Sequence, residues 1–436
     1  MTIDPVVIDK RPRSLVHMFL DLVEQRPDED AFYYPVDGGW QESTWAHTHE
    51  LVQGLAAGLL ALGVEPEDRV AIIASTRYEW VLGFIATLWA GGAVTAVDSD
   101  ASDDEIAQVL TDSGARVVIA EDFERVHTLW RLRARIRDVV KVVQIDGDFP
   151  DKRVLTLEGL LGRGHDHLTA QPRALSQRLY AVRRQGLAAL PYVGDPSRGR
   201  RGVRLTHAAL TYQATAIALL GDLDHDDLAY LALPLRTAYA HTVLATQLAV
   251  GFPLALEGRP GSRVASIPVV RPTVVAATPA MLQELRAGIE ERHRSGVLRR
   301  QKAVDKRVRT DVRDAFGDRL RYVVCAGTGL DEDLVDFFAT ADVRVVEAYG
   351  RTQAGGAVSI ARPADAGSHT AGRALSGTEV RISGDGEILV AGPGVMAGYH
   401  GRGADSAAAL DDGWLQTGDA GVLDAEGRLR VLGRRV

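Results

Sequence analysis

Cysteine is almost absent from this chain of 436 residues. Cys325 is the only one, so no internal disulfide can form, and a lone thiol fits a reducing cytosol. A basic excess is absent too. Acidic side chains outnumber basic ones by 58 to 50, giving a formal net charge of −8, which argues against a general nucleic-acid binder. The opening Met1-Thr-Ile-Asp-Pro5 lacks the basic-then-apolar order of a secretory signal. No Gly-x-Gly-x-x-Gly opens a helix after the early strands, which argues against a plain oxidoreductase. Two uncharged runs, Trp80–Val97 and Thr237–Leu256, come near the roughly 20 apolar residues that a membrane-spanning helix needs. Gly91-Gly92 splits the first into a helix-like half and a strand-like Ala93–Val97, and the second contains His241, Gln247, Gly251 and Pro253. Both read as buried core, and the chain is expected to act in the cytoplasm.

What is present is the pattern of a folded α/β protein. A hydrophobic share of 46% against 25% charged is ordinary for a globular chain and excludes disorder. Leu15, Met18, Phe19, Leu22 and Val23 follow the stripe of an amphipathic helix, with Ser14 placed to cap it. Leu51, Leu55 and Leu59 continue a second helix that Gly63 can end in a left-handed cap. Val70–Ala74 reads as a strand, Trp80–Ala90 as a helix, Ser102-Asp-Asp-Glu105 as a capping box, Gly114 as that helix's stop, and Arg116–Ala120 as another strand. Strand and helix in alternation imply a mostly parallel sheet.

A second block from about Leu187 to Ile360 repeats this alternation, with strand-like Leu228–Leu233, Thr273–Ala277, Arg321–Ala326 and Val343–Glu347. From Gly372 to Leu432 the pieces become short and β-rich (Glu379–Ile382, Glu387–Val390, Gly421–Leu423, Leu429–Leu432), separated by Gly/Asp turns as in a small antiparallel barrel. The Arg- and Lys-rich stretch Arg292–Arg313 reads as a solvated helix face or as a site for an anionic partner.

The most specific signal is a series of motifs in order. Tyr322-Val-Val-Cys-Ala-Gly-Thr-Gly-Leu330 precedes Val345-Val-Glu-Ala-Tyr-Gly-Arg-Thr-Gln353. Gly386-Glu-Ile388, Gly398-Tyr399, Gly413-Trp414-Leu-Gln-Thr-Gly-Asp419 and Gly427-Arg-Leu-Arg-Val-Leu-Gly-Arg434 follow. Thr206-His207 and Arg271-Pro-Thr273 leading to Pro279 extend it upstream. Over nearly all of its length the chain resembles the AMP-forming acyl-adenylating superfamily of acyl-CoA synthetases, fatty-acyl-AMP ligases and luciferases, and most closely its long-chain fatty-acid–CoA ligase branch.

The resemblance implies two doubly wound, mostly parallel sheet subdomains plus a small β-barrel-like one, at about residues 1–186, 187–360 and 361–433. Residues 434–436 would be a remnant of the hinge, with the mobile lid domain absent. It also implies a chemistry: a medium- or long-chain fatty acid and ATP give acyl-AMP and pyrophosphate, and coenzyme A then takes the acyl group. Gly327, Thr328 and Gly329 would cradle adenine. Tyr349 would stack on it beside Gly350. The Thr352 hydroxyl would contact the α-phosphate, and Asp419 and Arg434 would hold the ribose. Each piece also has a plain structural use as a turn, packing or terminal residue.

Several positions depart from the family pattern. The phosphate loop matches Tyr192-Val-Gly-Asp-Pro-Ser-Arg-Gly-Arg-Arg-Gly-Val203, in which the Ser/Thr-Gly run is reduced to Ser197 and Arg201 stands where lysine is usual. Asp195 brings unfavourable charge, while Arg198, Arg200, Arg201 and Arg204 bring guanidinium groups suited to phosphate. The loop is either degenerate or rewired on arginine. Gln353 replaces the glutamate that helps to hold Mg²⁺, and hard cations prefer carboxylate. Thr237 and Ala280 replace a histidine and an arginine. Thr352, Gln353 and Arg201 are the expected catalytic residues. The expected activity is an impaired ligase, with a non-catalytic nucleotide- or acyl-binding protein, or a split enzyme taking its lid from a separate chain, as the alternatives.

Overall fold

Short apolar runs spaced by helix-length segments pair as parallel neighbours, because a right-handed crossover returns each strand beside the last. The computed structural model describes residues 8–194, 199–294, 301–327 and 330–435, the side chains of 293–306 apart. Its first sheet has seven strands. Arg69–Ile73, Ala93–Val97, Val117–Ala120, Lys141–Gln144 and Val154–Thr156 run parallel in it, beside Leu187–Ala189, and Leu205–Thr206 closes one edge antiparallel.

The second sheet has nine strands. Val345–Arg351, Tyr322–Ala326, Val274–Ala277, Ala229–Leu231, Leu254–Leu256 and Asp30–Val36 lie parallel in that spatial order. Antiparallel Gly356–Ile360 and Arg373–Ala374 extend one edge and Gly39–Thr44 the other. The third sheet has five antiparallel strands built on Trp414–Leu423, which pairs with Glu387–Ala391, Leu410–Asp411 and Leu429–Arg434 along different parts of its length. It is an open sheet, and the described residues form no closed barrel.

Sheet membership departs from chain order at both expected subdomain boundaries. Asp30–Val36 and Gly39–Thr44 leave the first block and join the second sheet, where Phe32 pairs in register with Leu254, both fully buried. Leu187–Ala189 and Leu205–Thr206 return to the first sheet, and Arg373–Ala374 stays on the second. A strand's apolar pattern shows which face is buried and leaves its neighbour open.

The local signals act where they stand in the chain. The Ser102 Oγ accepts the Glu105 N–H at 3.3 Å, and Gly114 ends the helix Asp103–Ser113 with φ of +60°. Ser14 precedes the helix Leu15–Gln25, yet its hydroxyl pairs with His17 Nδ1 at 2.8 Å and makes no bond to a backbone N–H. Both long uncharged runs are interior. Every residue of Tyr78–Trp89 but Glu79 is buried, as is most of Ala238–Val250, and no helix of the described residues is long and apolar enough to cross a membrane. The largest core spans both large sheets, bringing Ile72 and Val94 together with Leu231 and Leu254 around Trp80, Phe84 and Leu244.

Two histidines are sealed into this interior. His241 lies 5.7 Å from the Trp80 ring and 5.3 Å from the Phe84 ring, and His207 is 2% exposed. Burial pushes both down to about 4 from the usual 6.5. They are therefore neutral in the fold, while the unfolded chain binds protons below pH 6.5. Stability is unaffected above that value and is lost as pH falls from 6.5 toward 4. At pH 5 the expected loss is about 2 kcal/mol per histidine. Denaturant unfolding at pH 7.5 and pH 5 should show this drop, and His241→Leu should reduce it by about 2 kcal/mol. An unchanged pH dependence in that variant would contradict the assignment.

Candidate active site

Neighbouring parallel strands deliver their C-terminal ends to one edge of a sheet, where open α/β folds bind ligands. Tyr322–Ala326 and Val345–Arg351 are such a pair, with Ala326 beside Ala348. Gly327 and Tyr349, the residues that follow, therefore stand at the same edge. Both line a cavity of about 330 Å³, together with Gly350, Arg351 and Thr352. Its remaining wall is mostly apolar, with Val243 from the helix Ala238–Val250, Phe252 just after it, and Ala229, Val274 and Ala276 from the strands beneath, interrupted by Thr237, Thr242, Thr246 and Thr278. Thr328 and Gly329 lie outside the described residues.

One carboxylate holds two of the lining residues, Tyr349 and Arg351, from behind. Asp419, on the long strand of the third sheet, is 1% exposed. Its Oδ2 accepts the Tyr349 hydroxyl at 2.8 Å, and Arg351 Nη1 donates to both oxygens at 3.1 and 3.2 Å. Its own N–H goes to Thr417 Oγ1 at 3.1 Å. Asp419 and Arg434 are cross-strand partners, and Arg434 Nε stands 3.6 Å from Oδ1. Pairing in the strand Leu429–Arg434 holds Arg434, although it is the third-last residue. Burial keeps the Tyr349 phenol protonated, raising it well above its usual range.

The turn after Tyr349 is tight because glycine makes it so. A Cβ at Gly350 would stand 2.1 Å from the Gly356 carbonyl oxygen across the hairpin. A shift in strand register falls between Tyr349 and Gly350, and Thr352–Ala354 form one 3₁₀ turn. There the Gln353 side chain turns inward, its Nε2 donating to the Tyr399 hydroxyl at 3.1 Å.

Tyr399 also meets the loop that carries the arginines. Arg201 lies over its ring at 4.5 Å, and backbone bonds run from His400 N–H to the Gly202 carbonyl and from Ala397 N–H to the Arg204 carbonyl. Arg201 and Gln353, distant in sequence, thus share one aromatic residue. The loop's other cations are not uniformly free. Arg200 pairs with Glu105 at 2.6 Å, each side chain 14% exposed, so its charge is taken up by the protein. Asp195, Ser197 and Arg198 lie outside the described residues.

Sequence reasoning passed over three residues here. Arg351 fills a variable letter inside a motif, although its two-residue spacing from Tyr349 places both on one strand face. Tyr399 stands in Gly398-Tyr399 with no sequence cue to its partners. Tyr239 lies in the run read as core; it lines the cavity and its hydroxyl donates to the Val324 carbonyl at 2.8 Å. Thr237, in the place of a histidine, caps its helix by accepting the Ala240 N–H at 3.2 Å.

The donor set around Gln353 does not fit a protein-held Mg²⁺. It offers one neutral amide oxygen, and the described residues hold no cluster of three His, Cys, Asp or Glu side chains able to bind a metal.

Comparison with known proteins places this geometry. A family model described as AMP-binding enzyme matches residues 19–400. The chain belongs to the AMP-binding enzyme family. The long-chain-fatty-acid–CoA ligase FadD15 of Mycobacterium bovis is 28% identical over 94% of this chain and 73% of its own length. The 3-[(3aS,4S,7aS)-7a-methyl-1,5-dioxo-octahydro-1H-inden-4-yl]propanoyl:CoA ligase of Mycobacterium tuberculosis is 30% identical over 95% of this chain and 77% of its own. The solved anthranilate CoA ligase AuaEII, in complex with anthranoyl-AMP, shares the fold at a TM-score of 0.80 and 19% identity, covering 98% of this chain and 79% of that one. The chain thus spans about three quarters of the length of such relatives.

In this member of the family, Gly350→Ala should cost about 2–4 kcal/mol, because backbone must move to admit the methyl group. Gly288→Ala, on a helix with nothing within 4 Å of the new atom, should gain about 0.5–1 kcal/mol. Unfolding midpoints of the two variants should move in opposite directions. A neutral Gly350→Ala would mean that the turn is looser than its contacts indicate.

Proposed function

We propose that this chain activates a medium- or long-chain fatty acid with ATP, forming acyl-AMP and pyrophosphate, and then passes the acyl group to the thiol of coenzyme A in the cytoplasm. The observation that carries this reading is a largely apolar cavity whose polar edge holds Tyr349, Arg351 and Thr352, the first two bonded to the buried Asp419 behind them. In this reading adenine lies between Gly327 and the Tyr349 ring, and the ribose hydroxyls donate to Asp419, beside Arg434. The fatty acid's alkyl chain fills the apolar wall, which brings its carboxylate to the α-phosphate.

The chemistry asked of the protein is positioning and charge stabilisation. A carboxylate oxygen attacks the α-phosphorus, the bond to the bridging oxygen breaks, and pyrophosphate departs with its electron pair. In this reading the Thr352 hydroxyl donates to an α-phosphate oxygen, and Arg201 offsets charge on the leaving group. In the second step the thiol sulfur displaces AMP from the acyl carbon. The apolar wall keeps water from the mixed anhydride.

Slow turnover follows from the same residues. Arg200 is spent on Glu105, Arg201 rests on Tyr399, and Gln353 brings no negative charge to hold a metal. These contacts also favour a second reading, a protein that binds nucleotide and acyl group without turnover.

Incubation with ATP, Mg²⁺ and a fatty-acid panel should yield acyl-AMP at a low rate. A lid domain from a relative, added in trans, should raise thioester formation if the chain works as one part of a split enzyme. Asp419→Asn should weaken AMP binding about tenfold or more, since a charged acceptor is lost. Binding of AMP without acyl-AMP under any condition supports the second reading, and no detectable nucleotide binding by calorimetry ends both.

A further inference from the structure

The cluster around Asp419 is unbalanced in charge. Two guanidinium groups, Arg351 at 3.1 Å and Arg434 at 3.6 Å, stand on one carboxylate, and neither arginine has a second carboxylate within 4.0 Å among the described residues. One formal positive charge is left over beside the cavity. Arg434 is largely in solvent, with a side chain 64% exposed, while that of Arg351 is 17% exposed and lines the cavity wall.

Arg351 spends only Nη1 on Asp419. Its Nε and Nη2 meet no acceptor among the described residues, so three N–H donors of a planar fork remain. The fork cannot drift, because Nη1 is held by a carboxylate that Tyr349 also grips. Two residues further along, Gln353 brings an amide whose nitrogen is turned away to Tyr399. The site thus combines a neutral residue at the metal position with a fixed, half-used guanidinium.

We propose that Arg351 is an α-phosphate-binding residue: anchored on Asp419 through Nη1, it presents Nε–H and Nη2–H to the phosphate of a nucleoside monophosphate. This rests on the adenosine placement given under Proposed function. A guanidinium binds phosphate through paired, charge-assisted hydrogen bonds, and a ligand that holds its ribose on Asp419 carries its 5′-phosphate one methylene away from the sugar. Arg351 then supplies in the protein part of the positive charge that a metal would otherwise bring.

The test compares adenosine with AMP by calorimetry, using the whole chain with EDTA present, for wild type, Arg351→Gln and Arg351→Lys. Wild type should bind AMP more tightly than adenosine without divalent metal. Arg351→Gln should lose about tenfold or more in AMP affinity while adenosine affinity changes much less. Arg351→Lys, which keeps the charge and loses the fork, should fall between them; it carries the comparison alone if melting curves show the glutamine variant unfolded. An AMP-to-adenosine ratio unchanged by substitution would overturn the proposal and leave Arg351 as a positioning residue for Asp419. Wild type that binds adenosine as tightly as AMP would overturn it as well. Wild type that binds neither would remove the adenosine placement itself.

Discussion

The arrangement of the site hangs on one buried carboxylate. Asp419 has almost no contact with water, and an unpaired charge there would cost several kcal/mol. Tyr349, Arg351 and Arg434 offset that cost, and the first two in doing so tie the third sheet to the end of the second. The strand carrying Tyr349 and Arg351 and the strand carrying Asp419 belong to different sheets, so the carboxylate decides how the two meet. Alternation along Val345–Arg351 puts Tyr349 and Arg351 on the same side, and the glycine after Tyr349 lets the hairpin close tightly enough to hold both.

A second join works with backbone as well as side chains. The segment around Tyr399, which joins two strands of the third sheet, pairs with residues 202–204 in the loop that follows Tyr192. Tyr399 then serves two neighbours, its hydroxyl taking the Gln353 amide and its ring lying under Arg201. Residues from three separate stretches of chain converge because one aromatic side chain stands between them. This economy has a chemical consequence. A glutamine that spends its nitrogen on a phenol, and arginines that rest on a ring or on Glu105, leave less free polarity for phosphate than a loop of hydroxyls and lysine would offer.

The cavity itself is a product of packing. Ala238–Val250 carries no charged residue and has no distinct polar face, and a helix of that kind must be covered all round. One part of it meets the helices Leu15–Gln25 and His207–Ala218, and another faces the cavity through Tyr239, Thr242 and Thr246. Small residues on the strands beneath, Ala229, Ala276 and Ala348, leave the space that larger ones would fill.

The sequence alone determined the element types, several helix ends and the motif order that marks the family, because these depend on local contacts. Ser102 meets Glu105 three residues on, Gly114 takes a left-handed turn, and Tyr349, Thr352 and Asp419 stand in motifs read straight from the chain. Tertiary structure alone decided the rest. It gave Asp30–Val36 to the second sheet, left the third sheet open, spent Arg200 on Glu105, and put Arg351 on Asp419 across 68 residues. Periodicity tells a strand which face to bury and gives no information on its neighbour, and a charge has no sequence signature for the partner that neutralises it.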